Sequence, residues 1–381
     1  MTHPHNDKTA MKATTAAIGA GCGCYVSRRG LLAGAAAFAA TAVGPLTVAR
    51  AQTTTTPAVP AQVAPSPAPS TAPPPFRIDV HHHLTPPEYI AAVHGKAQLS
   101  PPSATWTLAK TLDDMDAAAV QTAILSITTP GLWFGDVAAA AKLARGCNDY
   151  AAKLIADNKG RFGSFAALPM PNVDATLGEI SYALDTLKAD GVSVFTSYEG
   201  KWLGDASFVP VFDELNRRKA VVSVHPTTAA CCGNLIPYIP DPVIEFGTDT
   251  TRTIASLVFS GAAERWPDIK FIFSHAGGTM PFLIERFEFL ARMPQAAKMV
   301  PNGVRTTLQR FFYDTAQASN PAAMGALRLL VEPTQIVFGT DFPFRNGAEQ
   351  VGTLAGCKFP SADLRKIERD NALTLLPRLR V

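Results

Sequence analysis

Three histidines follow one another in the stretch RIDVHHHLTP, residues 77–86, at the end of a short apolar run. Imidazole binds transition ions and carries protons near neutral pH. Side chains alternate in direction along a β-strand, so His81 and His83 share one face while His82 turns to the other. Three more chemically able side chains follow apolar runs elsewhere: His225 in AVVSVHPT, His275 in IKFIFSHAG and Asp341 in QIVFGTDFP. Taken singly, a histidine at a strand end is more often a satisfied polar group than a ligand. Gathered in one mouth, His81, His83, His225 and Asp341 would be costly to bury without an ion. Their nitrogen-rich chemistry suits a divalent ion, zinc first and manganese as the alternative.

Whether these groups meet depends on the elements that carry them. Eight short runs rich in β-branched and aromatic residues recur: FRIDV, TAILSIT, RFGSFAALPM, GVSVFTS, AVVSVHPT, IKFIFSHAG, FFYDTA and QIVFGTDFP. Ala- and Leu-rich segments with helical spacing separate them, such as GDVAAAAKLARGCNDYAAKLIADNKG. Alternating strands and helices imply parallel pairing, and nearly continuous apolar runs suit strands buried on both faces. Eight such units predict a single α/β domain, a (β/α)8 TIM barrel, rather than a doubly wound sheet. Catalytic groups of that architecture sit at the carboxyl ends of the strands. His81 and His83 fall there on strand one, His225 on strand five, His275 on strand six and Asp341 on strand eight.

The chain has 381 residues, 47% hydrophobic and 17% charged, enough apolar material for a large core. A net charge of +3 without any Lys/Arg-rich block leaves no electrostatic footprint for nucleic acid. Residues 1–75 are of another kind. SRRGLLAGAAAFAATAVG joins an arginine pair to an Ala-rich stretch too short and too weakly apolar for a good membrane span, and ARAQ permits cleavage after Ala51. The pair followed by Leu31 and Leu32 resembles a twin-arginine signal, which implies export to the periplasm and no stable membrane insertion once the signal is removed. An uncleaved anchor or a chance Ala-rich leader is the alternative. The expected organisation is a signal over 1–51, a Pro/Thr/Ala-rich tether over 52–75 and the barrel over 76–381. Cys147, Cys231, Cys232 and Cys357 lack zinc spacing and read as small buried residues rather than disulfides, since adjacent cysteines rarely bridge each other.

DVHHH, VHPT, FSHAGG and VFGTDFPF, in that order, resemble the amidohydrolase superfamily over about residues 76–376. The similar branch is that of aminocarboxymuconate-semialdehyde decarboxylase and the aromatic hydroxy-acid decarboxylases. TSYEGKWLGDASFVPVFDELNRRKAVVSVHPT is further similar to proteins related to 6-methylsalicylate decarboxylase. The resemblance implies that His81, His83, His225 and Asp341 hold one ion, and that His275 handles protons beside it. It implies an acid that protonates the ring, Asp341 or a group linked to it. Members with two ions bridge them with a carboxylated lysine at the end of strand four; SVFTS has none, and Lys201 lies out in the following loop. Arg286, eleven residues after His275, corresponds to an arginine that reaches the neighbouring subunit's site, so the resemblance also implies a homodimer. Two departures limit the transfer. No arginine lies between Arg77 and Arg145, which argues against a muconate semialdehyde substrate, and Gly278 stands where resorcylate-type members carry a glutamate of their proton relay.

The activity so implied is non-oxidative decarboxylation of a small aromatic hydroxy acid, 6-methylsalicylate-like or dihydroxybenzoate-like. Such a site must hold a carboxylate, polarise the adjacent oxygen and deliver a proton to a ring carbon. Arginine is the natural clamp for the carboxylate. Arg286 and Arg252, the latter just after GTDTT, are the candidates, each with an ordinary helix-surface role as the alternative. Trp106, like Trp133 and Trp202, is placed to stack on the substrate ring or to pack in the core. The same cage would also suit a hydrolase of an amide, lactone or ester, or a metal-binding protein without turnover.

Overall fold

The computed structural model describes residues 76–380. The expected signal and tether lie outside the described residues. Eight parallel strands appear in the expected order: β1 (Arg77–His83), β2 (Val120–Ser126), β3 (Phe162–Ala167), β4 (Gly191–Phe195), β5 (Val221–His225), β6 (Lys270–Phe273), β7 (Phe312–Asp314) and β8 (Ile336–Val337). The segment after β8 closes the sheet onto β1: Phe338 O accepts from Val80 N–H at 2.9 Å, and Asp341 N–H donates to His81 O at 2.8 Å. The result is a (β/α)8 barrel. Its closure runs through two of the candidate ligands.

Five of the helices that bear on the site are α1 (Leu108–Ala117), α2 (Val137–Asp157), α3 (Glu245–Phe259), α4 (Met280–Ala291) and α5 (Gly347–Gly356). Three start at side-chain caps, where Thr107, Asp136 and Asn346 accept from backbone N–H groups three residues on. One apolar cluster fills the space between strands and helices and includes Val222 and Val224 of β5. A second contains Ile78, Val80, Ile124, Val221, Ile272 and Val337, with Leu375, Leu376 and Leu379 of the C-terminal segment packed into it. Alternation along β5 therefore puts Val221, Ser223 and His225 on the inner face.

Strand β1 is less regular. Ile78 and Val80 belong to the inner cluster, yet His81 and His83 take the inward places above them. The β1–β2 ladder shifts register between Asp79 and His82, which exchanges the two faces. His82 turns away, as its parity within the triplet predicts; its Nδ1 bonds to Asp79 at 2.9 Å and its ring stacks on Phe342.

Two sequence expectations are corrected here. Cys231 and Cys232 form a disulfide in the loop after β5, because the chain bends there enough to bring neighbouring sulfurs together; Cys147 is buried and free. Trp106 takes the core place of its two alternatives: it is 7% exposed, lies in the outer cluster and meets Tyr150 edge-on at 6.4 Å between centroids. The connection after β1 folds back as short helices and places it beside Phe342 and Pro343. Trp106→Ala is expected to cost about 3–5 kcal/mol in denaturant unfolding. Trp106→Phe should cost less, since the indole N–H has no partner among the described residues.

Candidate metal centre and active site

The rim holds a compact cage. His81 Nε2 lies 3.1 Å from His83 Nε2, and Asp341 Oδ1 lies 3.0 Å from His83 Nε2 and 3.3 Å from His81 Nε2. With His225, one donor atom from each of the four falls within 4.8 Å of the others, and all four side chains are buried. The outer ring nitrogens fix the tautomers. His81 Nδ1 faces Asp314 Oδ2 at 2.7 Å, His225 Nδ1 faces Pro226 O at 2.8 Å and His83 Nδ1 faces Ser126 O at 3.3 Å. Carbonyl and carboxylate oxygens only accept, so the Nδ1 atoms of His81 and His225 carry protons and their Nε2 atoms are the ones turned inward; Ser126 Oγ also lies 3.2 Å from His83 Nδ1. Three ring nitrogens and a carboxylate facing one another suit a cation. The residues present fit a divalent ion.

The electrostatics favour the metal-binding form at three of the four residues, and at His81 the ion must displace a proton. Burial, with His83 and His81 close by, holds His225 well below the ordinary histidine range, and burial lowers His83 as well. Burial also opposes the Asp341 carboxylate, but His81, His275 and His83 outweigh it and hold Asp341 well below its ordinary value. Burial opposes a charged His81 too, yet Asp314 and Asp341 together raise it well above the usual range. Neutral His83 and His225 and an ionised Asp341 are the forms that bind a metal.

His275 stands beside the cage, its Nε2 3.4 Å from Asp341 Oδ2. Neither His275 nor Asp341 ends a strand in the strict sense, since the regular ladders stop at Phe273 and Val337. His275, Ala276, Gln317 and Asp341 all adopt left-handed backbone angles, with φ of 54, 58, 50 and 66°. Such angles break a ladder and re-aim the side chain.

Two residues at the site escaped the sequence reading. Asp314 Oδ2 holds His81, and its Oδ1 accepts the N–H of His275 at 2.9 Å, so one carboxylate positions both histidines. Gln317 donates from Nε2 to Asp341 Oδ2. Asp314 ends β7, so the criterion that found His225 would have found it in FFYDTA. Asp314→Asn removes the charge with little change of shape and is expected to weaken metal binding roughly 10- to 100-fold in a chelator competition, with the fold retained.

A cavity of about 480 Å³ opens over the cage, with His225, His275, Gln317 and Asp341 on its polar side and Phe246 and Phe344 on its aromatic side. The arginines singled out from sequence do not line it. Arg252 sits two turns into α3, not at its start, and pairs with Glu245 and Asp249 at 3.2 and 3.5 Å. Arg286 is exposed on α4 and has no ion pair among the described residues. Trp133 and Trp202 give their indole N–H groups to Glu199 and Asp249, and Lys201 is exposed with Ser207 as its partner.

The chain belongs to the amidohydrolase family, whose pattern it matches over residues 78–378. Among individual proteins it is 37% identical over 329 residues to decarboxylase macB of Penicillium terrestre, covering 80% of this chain and 96% of that one. It is also 37% identical over 320 residues to the 6-methylsalicylic acid decarboxylase of Penicillium expansum, covering 80% and 97%. The solved dihydroxybenzoic acid decarboxylase of Polaromonas sp. JS666, with bound manganese and the inhibitor 2-nitroresorcinol, superposes with a TM-score of 0.68 at 21% identity, covering 80% of this chain and 98% of that one. That likeness is one of fold.

Proposed function

We propose that this protein is a carboxy-lyase that releases carbon dioxide non-oxidatively from a small aromatic hydroxy acid, with one divalent ion held by His81, His83, His225 and Asp341. The observation that carries this is the cage itself, three inward imidazoles and a carboxylate beneath a cavity of about 480 Å³ with aromatic walls. The similarity to 6-methylsalicylic acid decarboxylase supports the substrate class. When bound, the ion supplies polarisation of the phenolic and carboxylate oxygens.

The chain's own residues supply the rest. Phe246 and Phe344 hold the ring by its apolar surface. His275, its Nε2 3.4 Å from the ionised Asp341 carboxylate that steadies it in its protonated form, passes a proton to the ring carbon that bears the carboxylate. The bond to the carboxylate then breaks, its electron pair restores the aromatic ring and carbon dioxide leaves. The test is to incubate metal-loaded protein with 6-methylsalicylate, 2,3-dihydroxybenzoate and 2,6-dihydroxybenzoate and to follow carbon dioxide and phenols together. Ester, lactone or amide cleavage without carbon dioxide from any of these acids would assign the cage to a hydrolase instead.

Three finer features belong to the same reading. The nitrogen-rich donors support zinc and the manganese in the Polaromonas enzyme supports manganese, which elemental analysis of purified protein separates. Exposed Phe282 and Phe289 flank Arg286 on α4 and support a homodimer across that face, to be tested by sedimentation of wild type and Arg286→Glu. The arginine pair before Leu31 supports periplasmic export, to be tested by fractionation after Arg28→Lys and Arg29→Lys.

A further inference from the structure

We propose that Arg345 is the carboxylate anchor of this cleft, a role that rests on the decarboxylase reading for its substrate but not for its geometry. Among the described residues, Arg345 is the one lysine or arginine that lines the cavity over the cage. Arg345 stands one turn past Asp341, where its own N–H and that of Phe344 both donate to Asp341 O, at 3.3 and 2.9 Å. The next residue, Asn346, caps α5, so the backbone carrying the guanidinium is tied at both ends. The side chain itself is hardly engaged. Its single ion pair is with Glu349 at 3.5 Å, with both side chains about half exposed, and no hydrogen bond holds the guanidinium. Arg252, by contrast, has two carboxylates beside it.

An arginine left with free donors beside an aromatic-walled cavity recognises a planar anion, and its fork matches the two oxygens of a carboxylate. Phe344 on one side of it and Phe246 across the cavity then face the ring of the same acid. The charge on the carboxylate disappears as carbon dioxide forms, so this ion pair is strongest before the reaction. Its contribution falls on substrate binding rather than on the chemical step.

The test uses metal-loaded full-length protein and two probes that do not react, benzoate and phenol, in equilibrium titrations. Arg345→Gln is expected to weaken benzoate roughly 10- to 100-fold and to leave phenol unchanged, with Arg345→Lys intermediate because it keeps the charge and loses the fork. With a turned-over hydroxybenzoate, Arg345→Gln should raise KM by the same factor. Equal loss of both probes, or no loss of either, overturns the assignment. If no hydroxybenzoate is decarboxylated but benzoate alone is weakened, Arg345 stands as an anion anchor and the decarboxylase reading falls. If turnover is found and neither KM nor benzoate binding responds, the reverse holds.

Discussion

His275→Asn is expected to lower carbon dioxide release by roughly 100- to 10,000-fold while the protein keeps its metal. The imidazole's polar contact with the cage is Asp341 Oδ2, at 3.4 Å, its ring lies 5.2 Å from that of His81 between centroids, and both of its ring nitrogens are absent from the ligand set. Its backbone is held independently, because the His275 N–H donates to Asp314. Asparagine tolerates the left-handed φ of 54° found here better than most residues, so the substitution removes the proton carrier and spares the turn. Metal content and thermal midpoint should match wild type, and the solvent isotope effect on kcat should change as proton delivery becomes slower. Full turnover in this variant would remove His275 from the reaction.

Larger still is the effect expected of His225→Ala, which should lose bound metal on dialysis and fall to background activity. Burial keeps this imidazole well below the ordinary histidine range, so it is an unprotonated donor throughout the neutral region and no proton competes with the ion. Ligand loss also has a stability readout independent of turnover. An ion present at a thousand times its dissociation constant stabilises the folded state by about 4 kcal/mol, so adding metal to stripped wild type should raise the thermal midpoint by several degrees. The same addition should leave His225→Ala unmoved. If the variant retains metal and activity, the cage does not hold the catalytic ion.

Much of this was legible in sequence, for a physical reason. Parallel strands buried on both faces tolerate few polar residues, so histidines at the ends of apolar runs stand out, and β5 shows the pattern cleanly with His225 on its inner face. What stayed hidden depends on contacts between distant segments. The face exchange in β1 arises from a register shift against β2, which no single-strand pattern encodes. Arg252 is engaged by Glu245 and Asp249 from its own helix, α3, whose start at Glu245 lies before the GTDTT motif. Arg345 directly follows VFGTDFPF, and nothing in its spacing shows that the turn after Asp341 brings it to the cavity. Gln317 reaches Asp341 only through its left-handed turn.

Those left-handed turns carry a thermodynamic consequence. Each costs a residue with a side chain roughly 1–2 kcal/mol relative to glycine-like freedom, a noticeable share of the 5–15 kcal/mol by which a domain usually survives. Glycine at Ala276 or Gln317 would ease the backbone, and at Asp341 it would ease it while deleting a ligand. Marginal stability and chemical competence thus pull in opposite directions around one rim, and a hardier barrel is within reach of this chain at the expense of its reactivity.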